Sequence, residues 1–277
     1  MSLEALPPLR EALTEHGLLA RKAFGQHFLL DLNITRKIAR LAEVGPGDRV
    51  LEVGPGPGGL TRGLLETGAQ VVAIEKDPRF RPLLDDLAAA AGPGALSLEF
   101  ADALAADEAQ LVGAGGHVVS NLPYNVGTAL LIKWLTGPWR PASMTLMFQK
   151  EVAQRIAAAV DTGAYGRLAV IAQATSLVRT LMDVPARAFT PPPKVESAVV
   201  RLTPRAERPS PPRLDALQRV TAAAFGQRRK MLRASLKPLG GERLIEAAAL
   251  HPQARAETVD VGGFLRLADA WIAHRAK

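Results

Sequence analysis

Short apolar runs alternate with stretches of helical periodicity over the first two hundred residues. Five runs read as strands: Asp48-Arg49-Val50-Leu51-Glu52-Val53, Val71-Val72-Ala73-Ile74, Leu96-Ser97-Leu98-Glu99-Phe100, His117-Val118-Val119-Ser120 and Met144-Thr145-Leu146-Met147-Phe148. Helix-like segments lie around them, roughly Leu3–His16, Asn33–Ala42, Leu60–Glu66, Gly127–Leu135, Lys150–Ala159 and Tyr165–Thr175. Val178–Val184 and Val195–Leu202 read as a final strand pair. Strands alternating with helices predict an α/β fold built on a doubly wound sheet. The stretch from Thr203-Pro204 to Pro212 is rich in proline and charge, and it divides the chain into residues 1–203 and 204–277. The second part is helical, with Leu217, Val220, Ala224 and Phe225 at helical spacing.

Chemistry enters where strands end. The first strand runs into Gly54-Pro55-Gly56-Pro57-Gly58-Gly59 and then a helix, the opening unit of a nucleotide-binding sheet. Glycines there allow a tight turn and close approach of a ligand to backbone. The second strand ends in Glu75, where an acid can accept two hydrogen bonds from ribose hydroxyls. The third ends at Ala101-Asp102, where a carboxylate can accept a hydrogen bond from an adenine amino group. Gly54, Gly56 and Gly59 also satisfy G-x-G-x-x-G, so a nicotinamide enzyme has to be weighed. Proline on both sides of Gly56 removes N–H donors that a pyrophosphate would want. Asp102 and Asn121 have no part in hydride transfer, and S-adenosylmethionine carries no phosphate, so a donor-poor loop suits it better.

The fourth strand leads into Asn121-Leu122-Pro123-Tyr124. Asn and Tyr are scarce in this chain: Asn33, Asn121 and Asn125 are its only Asn, Tyr124 and Tyr165 its only Tyr. Two Asn and one Tyr therefore fall within five positions. An amide at a strand end, a proline-stiffened turn and an aromatic ring can grip a planar ring that bears an amino group. A polar turn with a packed Tyr is the plainer alternative. Arg21-Lys22-Ala23-Phe24-Gly25-Gln26-His27-Phe28-Leu29 mixes cations, aromatics and a glycine, which suits a loop over a ligand or a phosphate backbone. His27 has no companion at metal-ligand spacing, and no metal is expected. Phe189 precedes Thr190-Pro191-Pro192-Pro193-Lys194, whose prolines favour extended backbone, and reads equally as a cleft or a core aromatic.

Composition narrows the class. Apolar content of 48% with 22% charged residues marks a globular chain, and no apolar stretch is long enough for a membrane span. The first fifteen residues lack the apolar centre of a signal peptide. Zero Cys excludes disulfides and thiolate sites and fits a cytoplasmic protein. Residues 1–200 carry 19 Lys+Arg against 20 Asp+Glu, whereas residues 201–277 carry 15 against 7. That local excess suggests a polyanion partner, most simply nucleic acid. Its densest part is Gln227-Arg228-Arg229-Lys230 with Arg233 and Lys237, on a helix or at a helix junction.

With these motifs assembled, the sequence resembles the small-subunit ribosomal RNA adenine N6-dimethyltransferases, the KsgA-like family, whose relatives include the erythromycin-resistance rRNA methylases. The resemblance rests on Phe24-Gly25-Gln26-His27-Phe28-Leu29, Glu52-Val53-Gly54-Pro55-Gly56, Ile74-Glu75-Lys76-Asp77, Asn121-Leu122-Pro123-Tyr124-Asn125, Gln149-Lys150-Glu151-Val152, Tyr165-Gly166-Arg167-Leu168, Ala188-Phe189-Thr190-Pro191-Pro192-Pro193-Lys194-Val195 and Gln227-Arg228-Arg229-Lys230. It implies a Rossmann-like class I methyltransferase sheet, mostly parallel with an antiparallel last strand, and a smaller C-terminal all-helical domain that binds RNA. His27, Leu29, Gly54, Gly56, Glu75, Asp102 and Asn121 are then expected at S-adenosylmethionine. Position 27 is usually Asn in bacterial members, so His27 is a departure. Asn121, Leu122, Pro123, Tyr124 and Phe189 are expected at the target base, and Arg21, Lys22, Arg228, Arg229 and Lys230 on RNA. The implied activity is double methylation of two adjacent adenosines near the 3′ end of small-subunit rRNA, by a monomer acting on an assembling 30S subunit. A catalytically silent assembly or nucleic-acid-binding factor of the same fold is the alternative, and intact Asn121, Tyr124, Glu75 and Asp102 argue against it.

Overall fold

The structure, a computed structural model, describes residues 3–18, 27–227 and 229–275. Residues 1–131, 139–153 and 180–201 form one compact unit; residues 132–138, 154–179 and 202–277 form another.

The first unit is organised by a seven-stranded sheet. In chain order its strands are β2 (Arg49–Val53), β3 (Gln70–Glu75), β4 (Leu96–Phe100), β5 (His117–Asn121), β6 (Met144–Gln149), β7 (Ser176–Val184) and β9 (Ser197–Pro204). Their spatial order is β4-β3-β2-β5-β6-β9-β7. The pairs β2–β3, β3–β4, β2–β5 and β5–β6 are parallel, and the sheet carries an antiparallel strand. Parallel strands require helical crossovers that cover the sheet, which is why β2 and β3 are buried at every position but the first. The crossovers are α3 (Gly59–Leu65), α4 (Arg81–Ala91), α5 (Glu108–Val112) and α6 (Gly127–Thr136), with α7 (Lys150–Ile156) after β6.

Ahead of the sheet, α1 (Leu9–Glu15) follows a short 3-10 turn over Leu3–Ala5. The single helix expected over Leu3–His16 is thus broken at Pro7-Pro8, whose rings cannot sit inside a helix. The two-residue strand β1 (Phe28–Leu29) pairs antiparallel with β8 (Phe189–Thr190), and α2 (Leu32–Leu41) starts at Asp31, whose carboxylate accepts from the Asn33 and Ile34 N–H groups. The Thr190–Pro191 peptide is cis.

The second unit is helical: α8 (Arg167–Thr175), α9 (Pro211–Gly226), α10 (Leu232–Ser235), α11 (Glu242–Ala247) and α12 (Val261–Arg275). Its core joins Ala169, Val170 and Ala174 of α8 to Leu217, Val220, Phe264 and Leu267. Tyr165 lies at the centre, 1% exposed, with its hydroxyl donating to the Val259 carbonyl at 3.0 Å. Phe225 packs edge-on against Tyr165 and stacks on Phe264. Residues 154–179 precede position 203 yet contribute to this helical unit. The proline-rich stretch begins inside β9 and ends at α9, and Arg208 within it donates to the Gly137 carbonyl at 3.0 Å.

Candidate active site

The chain enters the sheet at β2, adds β3 and β4 on one side, then crosses to β5 on the other. The strand order therefore reverses between β2 and β5, and a crevice opens at the carboxyl ends of such strands. A cavity of about 650 Å³ occupies that place. It is lined by every described residue expected at cofactor or base: His27, Leu29, Gly54, Gly56, Glu75, Asp102, Asn121, Leu122, Pro123, Tyr124 and Phe189. Arg21, Lys22 and Arg228 lie outside the described residues.

Two glycines let separate segments converge here. Gly54 has φ +72°, and a Cβ on it would stand 3.2 Å from Pro123 Cγ, so its bareness admits the turn after β5. A Cβ on Gly59 would stand 2.6 Å from the Leu29 carbonyl oxygen, so β1 can lie against the start of α3 only with glycine there. Ser120 ties the two central strand ends together, donating to the Val53 carbonyl at 2.6 Å.

Three carboxylates line the cavity, each in a different state. Glu75 is 8% exposed and accepts from the Gly56 N–H at 3.0 Å and the Asp77 N–H at 2.8 Å. Burial pushes its carboxyl above the usual range, while these N–H bonds favour the charged form. Asp102 is half-exposed, pairs with Lys76 at 2.8 Å and accepts from the Leu104 N–H at 2.9 Å. A surface pair of that kind contributes under about 1 kcal/mol, so an incoming donor competes for the carboxylate readily. Glu52, on β2, was not among the expected site residues. It is 1% exposed, and among the described residues its Oε2 has no hydrogen-bond partner. Its carboxyl is pushed up to about 8, mainly by burial and further by the charge of Glu75, with the nearby Thr61 hydroxyl opposing. The signal was available: a strand flanked on both sides in a parallel sheet leaves no solvent-facing side for an acid.

The opposite wall is aromatic and amide. Tyr124 is held by a 3.0 Å hydrogen bond between its hydroxyl and Ser197 Oγ. The His27 ring lies 6.3 Å from the Tyr124 ring, and its Nδ1 donates to the Pro191 carbonyl at 2.7 Å. Phe189 is 2% exposed and both lines the cavity and belongs to the core, so the two readings of it merge. The Val126 and Gly127 N–H groups bond to the Pro123 carbonyl and so do not use that of Leu122. Among the described residues, no partner holds the Asn121 amide.

In the helical unit, Arg229 and Lys230 are exposed in the turn between α9 and α10, with Arg233 and Lys237 exposed just beyond. Of the two placements open to this cluster, one helix or a helix junction, the structure has the junction, since α9 stops at Gly226 and α10 starts at Leu232.

The lining suits S-adenosylmethionine. It holds three carboxylates against one lysine, which favours a cationic ligand over a polyphosphate, and Phe28, Phe80 and Leu104 supply apolar walls for a base. The sequence model of ribosomal RNA adenine dimethylases matches residues 17–272. The chain belongs to that family. It is 76% identical over 276 residues to Ribosomal RNA small subunit methyltransferase A of Phenylobacterium zucineum, covering 99% of this chain and 96% of that protein. Among solved structures it resembles a dimethyladenosine transferase from Plasmodium falciparum, with TM-score 0.72 and 25% identity, covering 87% of this chain and 96% of the other. It resembles the 23S rRNA methyltransferase ErmE with TM-score 0.66 and 30% identity, covering 88% and 99%. As a member of this family the protein is an rRNA adenine dimethyltransferase that uses S-adenosylmethionine. No helix among the described residues is long and apolar enough to cross a membrane.

Proposed function

We propose that the protein dimethylates the N6 amines of two adjacent adenosines near the 3′ end of small-subunit rRNA, acting as a cytoplasmic monomer on an assembling 30S subunit. The observation that carries this reading is the meeting of Asn121–Tyr124 with Glu75 and Asp102 around one cavity at the sheet's switch point. The similarity to a small-subunit methyltransferase along nearly the whole chain supports the choice of RNA.

When bound, S-adenosylmethionine supplies an electrophilic methyl group on a sulfonium. Glu75 accepts hydrogen bonds from the ribose, and Asp102 accepts from the cofactor adenine amine in exchange for Lys76. His27, Leu29, Gly54 and Gly56 shape the remainder of that subsite. The target amine is a poor nucleophile because its lone pair is delocalised into the ring. Asn121 Oδ1 and the Leu122 carbonyl accept its two N–H bonds, which draws the nitrogen towards tetrahedral geometry and frees the lone pair. Pro123 fixes that carbonyl, Tyr124 stacks on the flipped base, and Phe189 closes the other face. Stacking contributes roughly 1–3 kcal/mol, comparable with the few kcal/mol needed to unstack the nucleotide. Catalysis is therefore positioning more than acid–base work. Residues 204–277 act as the RNA-binding part, with Arg228, Arg229 and Lys230 on phosphates and Arg21 and Lys22 joining from the N-terminal loop.

The test is transfer of labelled methyl groups from S-adenosylmethionine to unmethylated small ribosomal subunits, followed by nucleoside analysis. Dimethyladenosine at two neighbouring positions near the 3′ end is the expected result. Cofactor binding without transfer to that RNA would overturn the substrate assignment.

A further inference from the structure

Glu52 has no role in the scheme above, yet it is the most unusual polar group in the cavity. Its carboxyl is 1% exposed and, among the described residues, its Oε2 is unpartnered. The Thr61 hydroxyl faces it from α3 as a nearby donor that favours the anion, but falls short of full hydrogen-bond geometry. On the next strand, Glu75 already has an N–H donor on each oxygen. Of these two neighbouring acids, Glu75 is thus built to carry charge and Glu52 is not: one has donors for an anion, the other an empty acceptor in a dry place.

We propose that Glu52 is a proton switch of the cofactor cavity, neutral in the free protein and ionised once a positively charged part of the ligand enters. The step balances simply. The Glu52 O–H bond breaks heterolytically, its electron pair stays on the carboxylate, and the proton passes to water as the ligand's cation takes its place. Loading is then coupled to proton release, and the cavity resists holding an isolated buried charge between turnovers. The inference rests on the methyl-transfer reading only for the identity of the cation.

The surrounding charges agree with this assignment. Glu75 on β3 repels a second anion, and burial holds the Glu52 proton up to about pH 8. Beside Thr61, Arg62 on α3 is itself largely buried and donates to the Pro7 carbonyl. On β5, the other neighbour of β2, the ionisable residue is His117, engaged with Ser143 and Asp48. The remaining ionisable residues around the cavity are His27, Lys76, Asp102 and Tyr124, with Lys76 and Asp102 paired to each other.

The experiment is calorimetric titration of S-adenosylmethionine into the full-length protein at pH 7, in buffers of different ionisation enthalpy. About one proton released per ligand is expected, with affinity rising up to tenfold per pH unit between pH 6 and 7.5. Glu52→Gln, of the same shape and checked by thermal melting, is expected to release none and to lose that slope. Carbon-13 NMR titration of the free wild-type protein supplies a readout that needs no variant and no ligand, and one Glu carboxyl titrating near pH 8 is expected. Repeating the calorimetry with S-adenosylhomocysteine locates the trigger: release with both ligands supports the shared ammonium, release with the first alone supports the sulfonium. Binding without proton release, or a Glu52→Gln variant that still releases the proton, overturns the switch alone. Failure of S-adenosylmethionine to bind at all overturns both the switch and the methyl-transfer reading.

Discussion

The two units handle charge in opposite ways. The sheet unit brings Glu52 and Glu75 into its interior, where each is 8% exposed or less. The helical unit keeps Arg229, Lys230, Arg233 and Lys237 in solvent, and none of the four forms an ion pair among the described residues. Buried charge is costly and must be positioned, so it specifies geometry. Exposed, uncompensated charge costs little and acts at a distance, so it supplies attraction without fixing a pose. Changes in the sheet unit should therefore alter the rate of chemistry, and changes in the basic junction should alter affinity and its dependence on salt.

The sharpest test of that contrast is Asn121→Ala. Losing one positioned acceptor at the reacting amine is expected to slow single-turnover methyl transfer by about 10²–10³-fold, similar to the loss of one donor from an oxyanion site. Cofactor affinity, measured by calorimetry, should change only a few-fold. A variant that transferred methyl groups at the wild-type rate would remove Asn121 from the mechanism.

Next in size is the effect of Glu52 on stability. Folded, this carboxyl keeps its proton up to about pH 8; unfolded, only to about 4.5. Between those values the folded state binds more protons, so stability falls as pH rises and levels off above about pH 8. The loss by pH 7 is of the order of 3 kcal/mol. Chemical denaturation of Glu52→Gln from pH 5 to 8 should show a flatter profile and a more stable protein at the upper end. An identical pH profile in variant and wild type would mean that the site relaxes to solvate the anion.

Gly54→Ala probes convergence rather than charge. A methyl group at φ +72° is strained, and it presses on Pro123 from 3.2 Å. The expected cost is about 1–2 kcal/mol in denaturant unfolding, with slower methyl transfer as the turn after β5 is displaced.

The same contrast governs what could be read from the chain. The sheet unit was legible because its elements are local: apolar runs of strand length, glycines after β2, and an acid or amide at each strand end. That Asn121, Glu75 and Asp102 line one cavity could be expected because strand ends in a parallel sheet point to one crevice. Glu52 was passed over because an acid in Val-Leu-Glu-Val looks like the polar member of an alternating strand. Its burial depends on helices and neighbouring strands far away in sequence. The helical unit was legible as helices but not as a body. The period of α8 does not say which core receives it, although the burial of seven of its nine residues fits a helix enclosed on all sides. Tyr165 is instructive here: it belongs to a motif of the resemblance, yet its ring and hydroxyl are committed to the helical core. A recognisable motif can thus mark architecture as well as chemistry.

The smallest effect is expected where charge is most exposed. Arg229 and Lys230 sit in the turn after α9, and the Lys230 N–H donates to the Gln227 carbonyl at 2.8 Å. Alanine at both positions keeps this backbone bond and removes only two solvated cations, so stability should change by no more than about 0.5 kcal/mol. If both cations contact phosphates in a single-stranded region, each contributes about 0.7 to the slope of log affinity against log salt. The double variant should then bind rRNA more weakly at low salt, with a slope shallower by about 1.4, and the two binding curves should approach each other as salt rises. A parallel shift with unchanged slope would mean that the junction shapes the RNA-binding surface without touching phosphate. No shift at all would leave the cluster a solvated face and move the polyanion site elsewhere on the basic C-terminal quarter.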